Sequence, residues 1–447
     1  MPFRTPSDPA EAVAAIVLAA GFSSRMGAFK PLLPFGGKTV LGHVVASLRE
    51  AGLRHIYVVT GHNAGLMAPE LASLEGMPGP LDSLVREVPP HSVSLPKGRE
   101  DAGIPDAASS GVPSPLGEKD GMRGDFANHS TGFRITAVHN GNFAAGMFTS
   151  VQAGVASLPA AMDGFLLLPV DVPLVRAWTI RRVLATAATA DARIVYPTFC
   201  GKRGHPPFIG RALFGEILSS DGEGGLRAIL ARHEAEAANV AVFDRGCLLD
   251  MDSPRDYGRL QDTLAHLHVP DEDECVAMLE AAATPEPVRR HCRMVAGLAT
   301  SLALSLNKAG VQLDACLVRA AALVHDIAKG QPQHAQAGAA LLREFGFPGV
   351  ADLVACHMTI TFDGSRIDEG AVLYLADKLI QGEMRVRLEE RFAPALTRFE
   401  DDAVALASVR RRYTDARAIL SAVEARIGTL DPWRDAPAPH TKAGAST

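Results

Sequence analysis

Through the first half of the chain, short apolar runs rich in β-branched residues alternate with segments whose apolar positions recur at helical spacing. AAIVLAA (14–20), HIYVVTG (55–61), FRITAVH (133–139), GFLLLPVD (164–171) and ARIVYP (192–197) are bounded by turn residues and too short for helices, which predicts buried strands. TVLGHVVASLREAG (39–52), SVQAGVASL (150–158) and AWTIRRVLATAATA (177–190) predict the intervening helices. Alternation of this kind implies a doubly wound, parallel α/β sheet, with ligands at the carboxyl ends of the strands. From about Ser253 the strand pattern gives way to helical periodicity through RRRYTDARAILSAVEARIG, which predicts a separate all-α domain.

The expected organisation is a sheet domain over 1–262, a linker helix over 263–284, an all-α domain over 285–430 and a disordered tail over 431–447. Between Met77 and Ser130 the texture turns to Pro, Gly, Ser and mixed charge, which cannot bury enough apolar surface to fold alone. It reads as a mobile insertion over 77–130, with SLVREV (83–88) a strand at its start. EMRVRLEERF (383–392) reads as a solvated helix face, and LATSLALSL (298–306) as core packing.

A chain of 447 residues exceeds what one core supports. A net charge of -6 argues against a nucleic-acid partner, which would call for a basic face. The six cysteines are scattered without a C-x-x-C pair, as expected for reduced thiols in a cytoplasm. No apolar run reaches membrane-spanning length, so a cytoplasmic protein without membrane contact is expected.

The chemistry concentrates after the first strand, in LAAGFSSRMGAFK (18–30). Ala19, Ala20, Gly21, Ser23 and Gly27 let backbone N–H groups approach a phosphate closely. Arg25 and Lys30 add fixed charge where a triphosphate accumulates negative charge. FGGKT (35–39) ends like a Walker P-loop, but Leu32 stands where that motif needs glycine. A G-x-G-x-x-G fingerprint is absent as well.

This loop, with KPLLPFGGKTVLGHVV after it, resembles the nucleotidyltransferase family that includes the molybdenum cofactor guanylyl- and cytidylyltransferases. HNGNFAAGMFTSVQAGV (139–155), LLPVDVPLV (167–175), GKRGHPPFI (201–209) and LLDMDSPRDY (248–257) resemble further segments of that family in its order. The resemblance implies a Rossmann-like nucleotidyltransferase sheet with Mg2+ held by Asp171 and Asp252. Asn140, Gly146 and Ser150 would contact nucleotide, and His205 the second substrate. Each residue also has a plainer reading: Asp171 a turn acid, Asp252 a helix N-cap, His205 a structural histidine. The implied reaction transfers CMP from CTP to molybdopterin, giving molybdopterin cytosine dinucleotide for apo-enzymes of the xanthine dehydrogenase type. L-A-A-G is the form usual in the cytidylyl branch, which favours CTP over GTP. Another phosphate acceptor remains open.

In the helical half His291, His325, Asp326, His334, His357 and Asp377 stand in an order that resembles the HD-domain metal phosphohydrolases. Imidazoles and carboxylates in this mixture suit Mn2+, Fe2+, Ni2+ or Zn2+. His291, His325, Asp326 and Asp377 would hold one ion; His334 and His357 could hold a second, bridged by Asp326. Lys329 would neutralise substrate charge. Met358 departs from members with a His-His pair at that point. A non-catalytic nucleotide-binding or delivery module is the alternative for this half.

Overall fold

The computed structural model describes residues 12–21, 26–76, 132–190, 192–364 and 366–430. Ser23, Arg25, the 77–130 segment with its expected strand, and the 431–447 tail lie outside the described residues. Seven main strands build one sheet: β1 (Val13–Leu18), β2 (His55–Thr60), β3 (Arg134–His139), β4 (Gly164–Pro169), β5 (Ile194–Phe199), β6 (Phe208–Gly210) and β7 (Ala237–Ala241). Their spatial order is β7-β5-β6-β4-β1-β2-β3, with Ile16 of β1 opposite Tyr57 on one side and Leu167 on the other.

Every residue of β1 is buried because helices cover both sheet faces. Ala15 and Val17 pack in a cluster with α1 (Val40–Glu50), α2 (Ala64–Glu75) and α4 (Ala177–Thr189). Ala14, Ile16 and Leu18 face the opposite cluster with α3 (Met147–Ala156), α5 (Phe214–Ser219) and α6 (Gly225–Arg232). The expectation of a wholly parallel sheet is corrected at β6, which runs antiparallel between β4 and β5. Its cause is local: Cys200 and Gly201 take positive φ in a tight turn, and the chain doubles back along β5 before entering β6.

α7 (Pro254–Ala265) closes the sheet domain, and a short turn leads to α8 (Glu272–Ala281), so 263–284 holds the end of one helix and the whole of another. The helical half continues with α9 (Glu286–Lys308), α10 (Ala315–Val324), α11 (His334–Glu344), α12 (Pro348–Cys356), α13 (Glu369–Lys378), α14 (Leu388–Arg398) and α15 (Ala403–Ile427). The expected core stretch in α9 buries Leu298, Ala299, Leu302, Ala303 and Leu306. The solvated-face reading of 383–392 is corrected: a two-strand hairpin precedes α14, and Leu388 and Phe392, one helical turn apart, are buried.

A buried ionic cluster joins the halves. The Arg176 guanidinium donates to Glu274 of α8 at 2.6 and 3.0 Å, to Asp244 at 3.1 Å and to the Leu267 carbonyl at 2.9 Å. Beside it, Trp178 donates to the Glu344 carbonyl, and the Phe243 and Phe345 rings meet at a tilt with centroids 4.3 Å apart. Removing one partner of a buried pair leaves charge uncompensated, at a cost of about 3–5 kcal/mol. Arg176→Ala, which strands the buried Glu274 and Asp244, is therefore expected to lower unfolding stability by roughly that amount. Urea unfolding checks it; an unchanged midpoint would contradict the account of the joint.

Candidate functional sites

The first site is a cleft of about 730 Å3 at the carboxyl end of the sheet. Ala19, Ala20, Gly21, Lys30, Gly146, Ser150, Asp171, His205 and Asp252 all line it. The Lys30 ammonium stands 3.5 Å from Asp171 and 3.2 Å from Asp252, so one cation bridges two carboxylates from distant segments. The Met251 N–H donates to the Asp171 carbonyl at 2.9 Å and holds those segments together. Burial raises the Asp171 carboxyl above its ordinary value; Lys30 opposes the shift and Asp252 adds to it. Ser253, rather than Asp252, caps α7 in a capping box with Asp256, so the N-cap reading of Asp252 fails.

Gly146 takes φ 113° and opens α3, which turns the N-terminal residues Met147 and Ser150 toward the cleft. Asn140 and Gly27 are not on the cleft wall. Both amide hydrogens of Asn140 are engaged, at 2.9 Å to Thr149 and 3.0 Å to Ser150, while its oxygen accepts from the Asn142 N–H at 2.9 Å. In this geometry Asn140 holds the loop that shapes the wall. Burial lowers the His205 pKa, and its Nδ1 has no hydrogen-bond partner among the described residues. Sequence reasoning missed Asp250 and Arg203 on the same wall. Asp250 was findable, since it shares the D-x-D spacing with Asp252.

The second site gathers all six predicted ligands of the helical half. His291 Nε2 lies 3.1 Å from Asp377 Oδ1, and His325 Nε2 lies 3.5 Å from that oxygen and 3.6 Å from Asp326 Oδ2. On the other side Asp326 Oδ1 is 3.3 Å from His334 Nε2 and 3.6 Å from His357 Nε2. Asp326 thus joins two groups, His291–His325–Asp326 and Asp326–His334–His357, each with donor atoms within 4.8 Å of one another.

The surroundings orient these donors. His291, His325 and His357 each donate Nδ1–H to a backbone carbonyl, at 2.9, 2.8 and 2.7 Å, to Gly382, Ala322 and Val354. That bond fixes the tautomer in which Nε2 offers a lone pair inward, as metal-ligating histidines require. His325 Nε2 and Asp326 Oδ1 are buried without a hydrogen-bond partner among the described residues, and a cation would satisfy both. Burial would raise the Asp326 carboxyl, but His357, His325 and Lys329 outweigh it and hold the group far below the usual carboxylate range. Lys329 reaches Asp326 at 2.9 Å. Lys378, which sequence reasoning missed, contacts Asp377 and donates to the His357 carbonyl at 3.2 Å. Beside the cluster, a cavity of about 380 Å3 is also lined by Arg391 and Arg412.

Residues 15–86 and 122–237 match the MobA-like NTP transferase domain family, and residues 288–381 match the HD domain family. The molybdenum cofactor guanylyltransferase of Xanthomonas euvesicatoria is 45% identical over 67 residues, 14% of this chain and 35% of that relative. The chain thus spans about a third of that curated relative's length. The protein Rv0371c of Mycobacterium tuberculosis H37Rv aligns at 23% identity and TM-score 0.37, covering 56% of this chain and 98% of that one. A nucleotidyl transferase from Methanothermobacter aligns at 21% identity and TM-score 0.39, covering 57% and 98%. No helix among the described residues is long and apolar enough to cross a membrane. In order along the chain, a segment similar to the MobA-like NTP transferase domain family precedes one similar to the HD domain family.

Proposed function

We propose that the first domain, over 1–262, transfers CMP from CTP to molybdopterin, releasing pyrophosphate and yielding molybdopterin cytosine dinucleotide for apo-enzymes of the xanthine dehydrogenase type. The reading rests on one observation: Lys30 holds the carboxylates of Asp171 and Asp252 at 3.5 and 3.2 Å beside the small-residue turn Ala19–Gly21. Two carboxylates of opposed chain origin facing one cation fit a divalent ion of the Mg2+ type. Bound there, Mg2+ would neutralise charge on the polyphosphate. Ala19, Ala20 and Gly21 have no bulky side chain to keep phosphate oxygens from the backbone. Lys30 moves its charge from the carboxylates to the phosphates, with Arg25 and the positive end of α3 at Gly146 and Ser150 adding to it. The reaction needs no protein nucleophile; positioning and charge neutralisation carry it. His205, neutral through burial, offers its unpartnered Nδ1 to the second substrate.

The second domain, over 285–430, is read as a metal-dependent phosphohydrolase. His291, His325, Asp326 and Asp377 would hold one ion, and His334 and His357 a second with Asp326 between them. A transition metal there would activate water toward a phosphoryl centre. Lys329 and Lys378 keep the two carboxylates ionised and place positive charge along the cavity wall. A cytoplasmic location fits both activities.

GTP is the second reading for the first domain, favoured by the 45% identity to a guanylyltransferase over 67 residues. Incubating the protein with molybdenum cofactor, Mg2+ and each of CTP, GTP, ATP and UTP separates the two. Pyrophosphate release at least about tenfold faster with CTP is expected; such a factor corresponds to 1.4 kcal/mol of discrimination. A preference for GTP would transfer the assignment to the guanylyl branch.

A further inference from the structure

We propose that His266, Asp314 and Cys316 form a separate Zn2+ site that fastens the helical domain to the segment leaving α7. None of the three belongs to either cluster described above. His266 caps the C-terminal end of α7, Asp314 caps the N-terminus of α10, and Cys316 is on the first turn of α10. One donor atom of each lies within 4.8 Å of the other two. Zn2+ bound tetrahedrally at 2.0–2.3 Å sets neighbouring donors roughly 3.5 Å apart, so rotamer adjustments of three accessible side chains would close the shell.

Asp314 is held ready for this role. One oxygen accepts from the Leu317 N–H at 2.9 Å, while the Asp314 N–H donates to Glu369 at 2.9 Å. Its other oxygen faces His268 Nε2 at 3.8 Å; His268 lies outside the group of three and would have to swing in to serve as a fourth donor. Among the described residues no lysine or arginine pairs with Asp314. His266 and Cys316 line a cavity of about 610 Å3, where Asp271 pairs with Arg245 and Glu272 with Arg319. The groups facing Asp314 are two imidazoles and a thiol, a borderline-soft set that selects Zn2+ over Mg2+ or Ca2+. Burial and the Asp314 carboxylate raise the Cys316 thiol above its ordinary value, so Zn2+ would displace the thiol proton as it binds.

The donors form two short pairs, His266-x-His268 and Asp314-x-Cys316, on chain segments that meet only through the fold. With His268 swung in, four protein ligands would fill the shell, as in structural rather than catalytic sites. The ion would tie the start of α10 to the end of α7, on the same side of the molecule as the Arg176–Glu274 bond.

The test uses the full-length protein stripped of metal and titrated with Co2+, then with Zn2+. A thiolate-to-cobalt charge-transfer band in the near ultraviolet is expected. It should vanish in Cys316→Ser, weaken in His266→Ala and persist in Asp326→Ala, which disables the other metal cluster. Bound Zn2+ should fall by one equivalent in Cys316→Ser and stay unchanged in Cys292→Ser, a thiol that interacts with His325. All three residues of the proposed site are exposed or half-exposed, so folding of the variants is readily verified by melting. Absence of the band in the wild type, or its survival in Cys316→Ser with equal Zn2+ content, would overturn the proposal.

Discussion

Asp171→Asn is expected to lower pyrophosphate release on the order of 10³-fold while leaving the melting temperature and phosphate-ester hydrolysis unchanged. The substitution keeps shape and removes one charge. Asp171 lies two residues past the end of β4 in a turn that positions it whatever its side chain, because Val172 N–H donates to the Pro169 carbonyl at 3.1 Å and the Asp171 carbonyl accepts from Met251 at 2.9 Å. The loss should therefore fall on the site. Without the carboxylate, a divalent ion retains only Asp252, and Lys30 remains drawn to that acid at 3.2 Å instead of the phosphates. A kcat decrease with a raised Mg2+ requirement fits this account; wild-type turnover in Asp171→Asn contradicts it.

Asp326→Ala carries the second large effect. Its carboxylate takes part in both histidine groups, with Oδ2 toward His325 and Oδ1 toward His334 and His357. Losing it removes the shared ligand, so both ions and the hydrolysis they support should be lost, again on the order of 10³-fold. His334→Ala should spare the ion held by His291, His325 and Asp377. Metal content by elemental analysis, measured beside the rate with Mn2+ or Fe2+ added, separates these outcomes. The exposed half of Lys329 can rehydrate once its partner is gone, so the fold should survive. Full metal content in Asp326→Ala would contradict the bridging role, and binding of metal without hydrolysis in the wild type would leave a sensor.

Much of this was legible from residue order alone. Buried parallel strands are near-continuous apolar runs, and five of the seven main strands were visible as such. The six residues expected as ligands in the helical half were legible through their order, which resembles the HD-domain phosphohydrolases, and the fold brings their donor atoms together. The rest was hidden for identifiable reasons. β6 has only three residues and follows two prolines, so no period could reveal it. The helix Ala64–Glu75 carries Pro69 inside it, a residue that reads as a breaker. The charges of EMRVRLEERF masked the i, i+4 pair Leu388 and Phe392. Arg176, Glu274 and Asp244 are far apart in sequence and only the fold shows that they meet. Lys378 went unread in the sequence, because its role beside Asp377 depends on burial that one sequence does not display.

The most direct test is a crystal of this protein grown with Mn2+ and a non-hydrolysable CTP analogue. The account predicts an anomalous scattering peak between the carboxylates of Asp171 and Asp252, with the triphosphate along residues 19–30 and Lys30 turned onto it. Manganese elsewhere, or a nucleotide outside that cleft, would contradict the central claim.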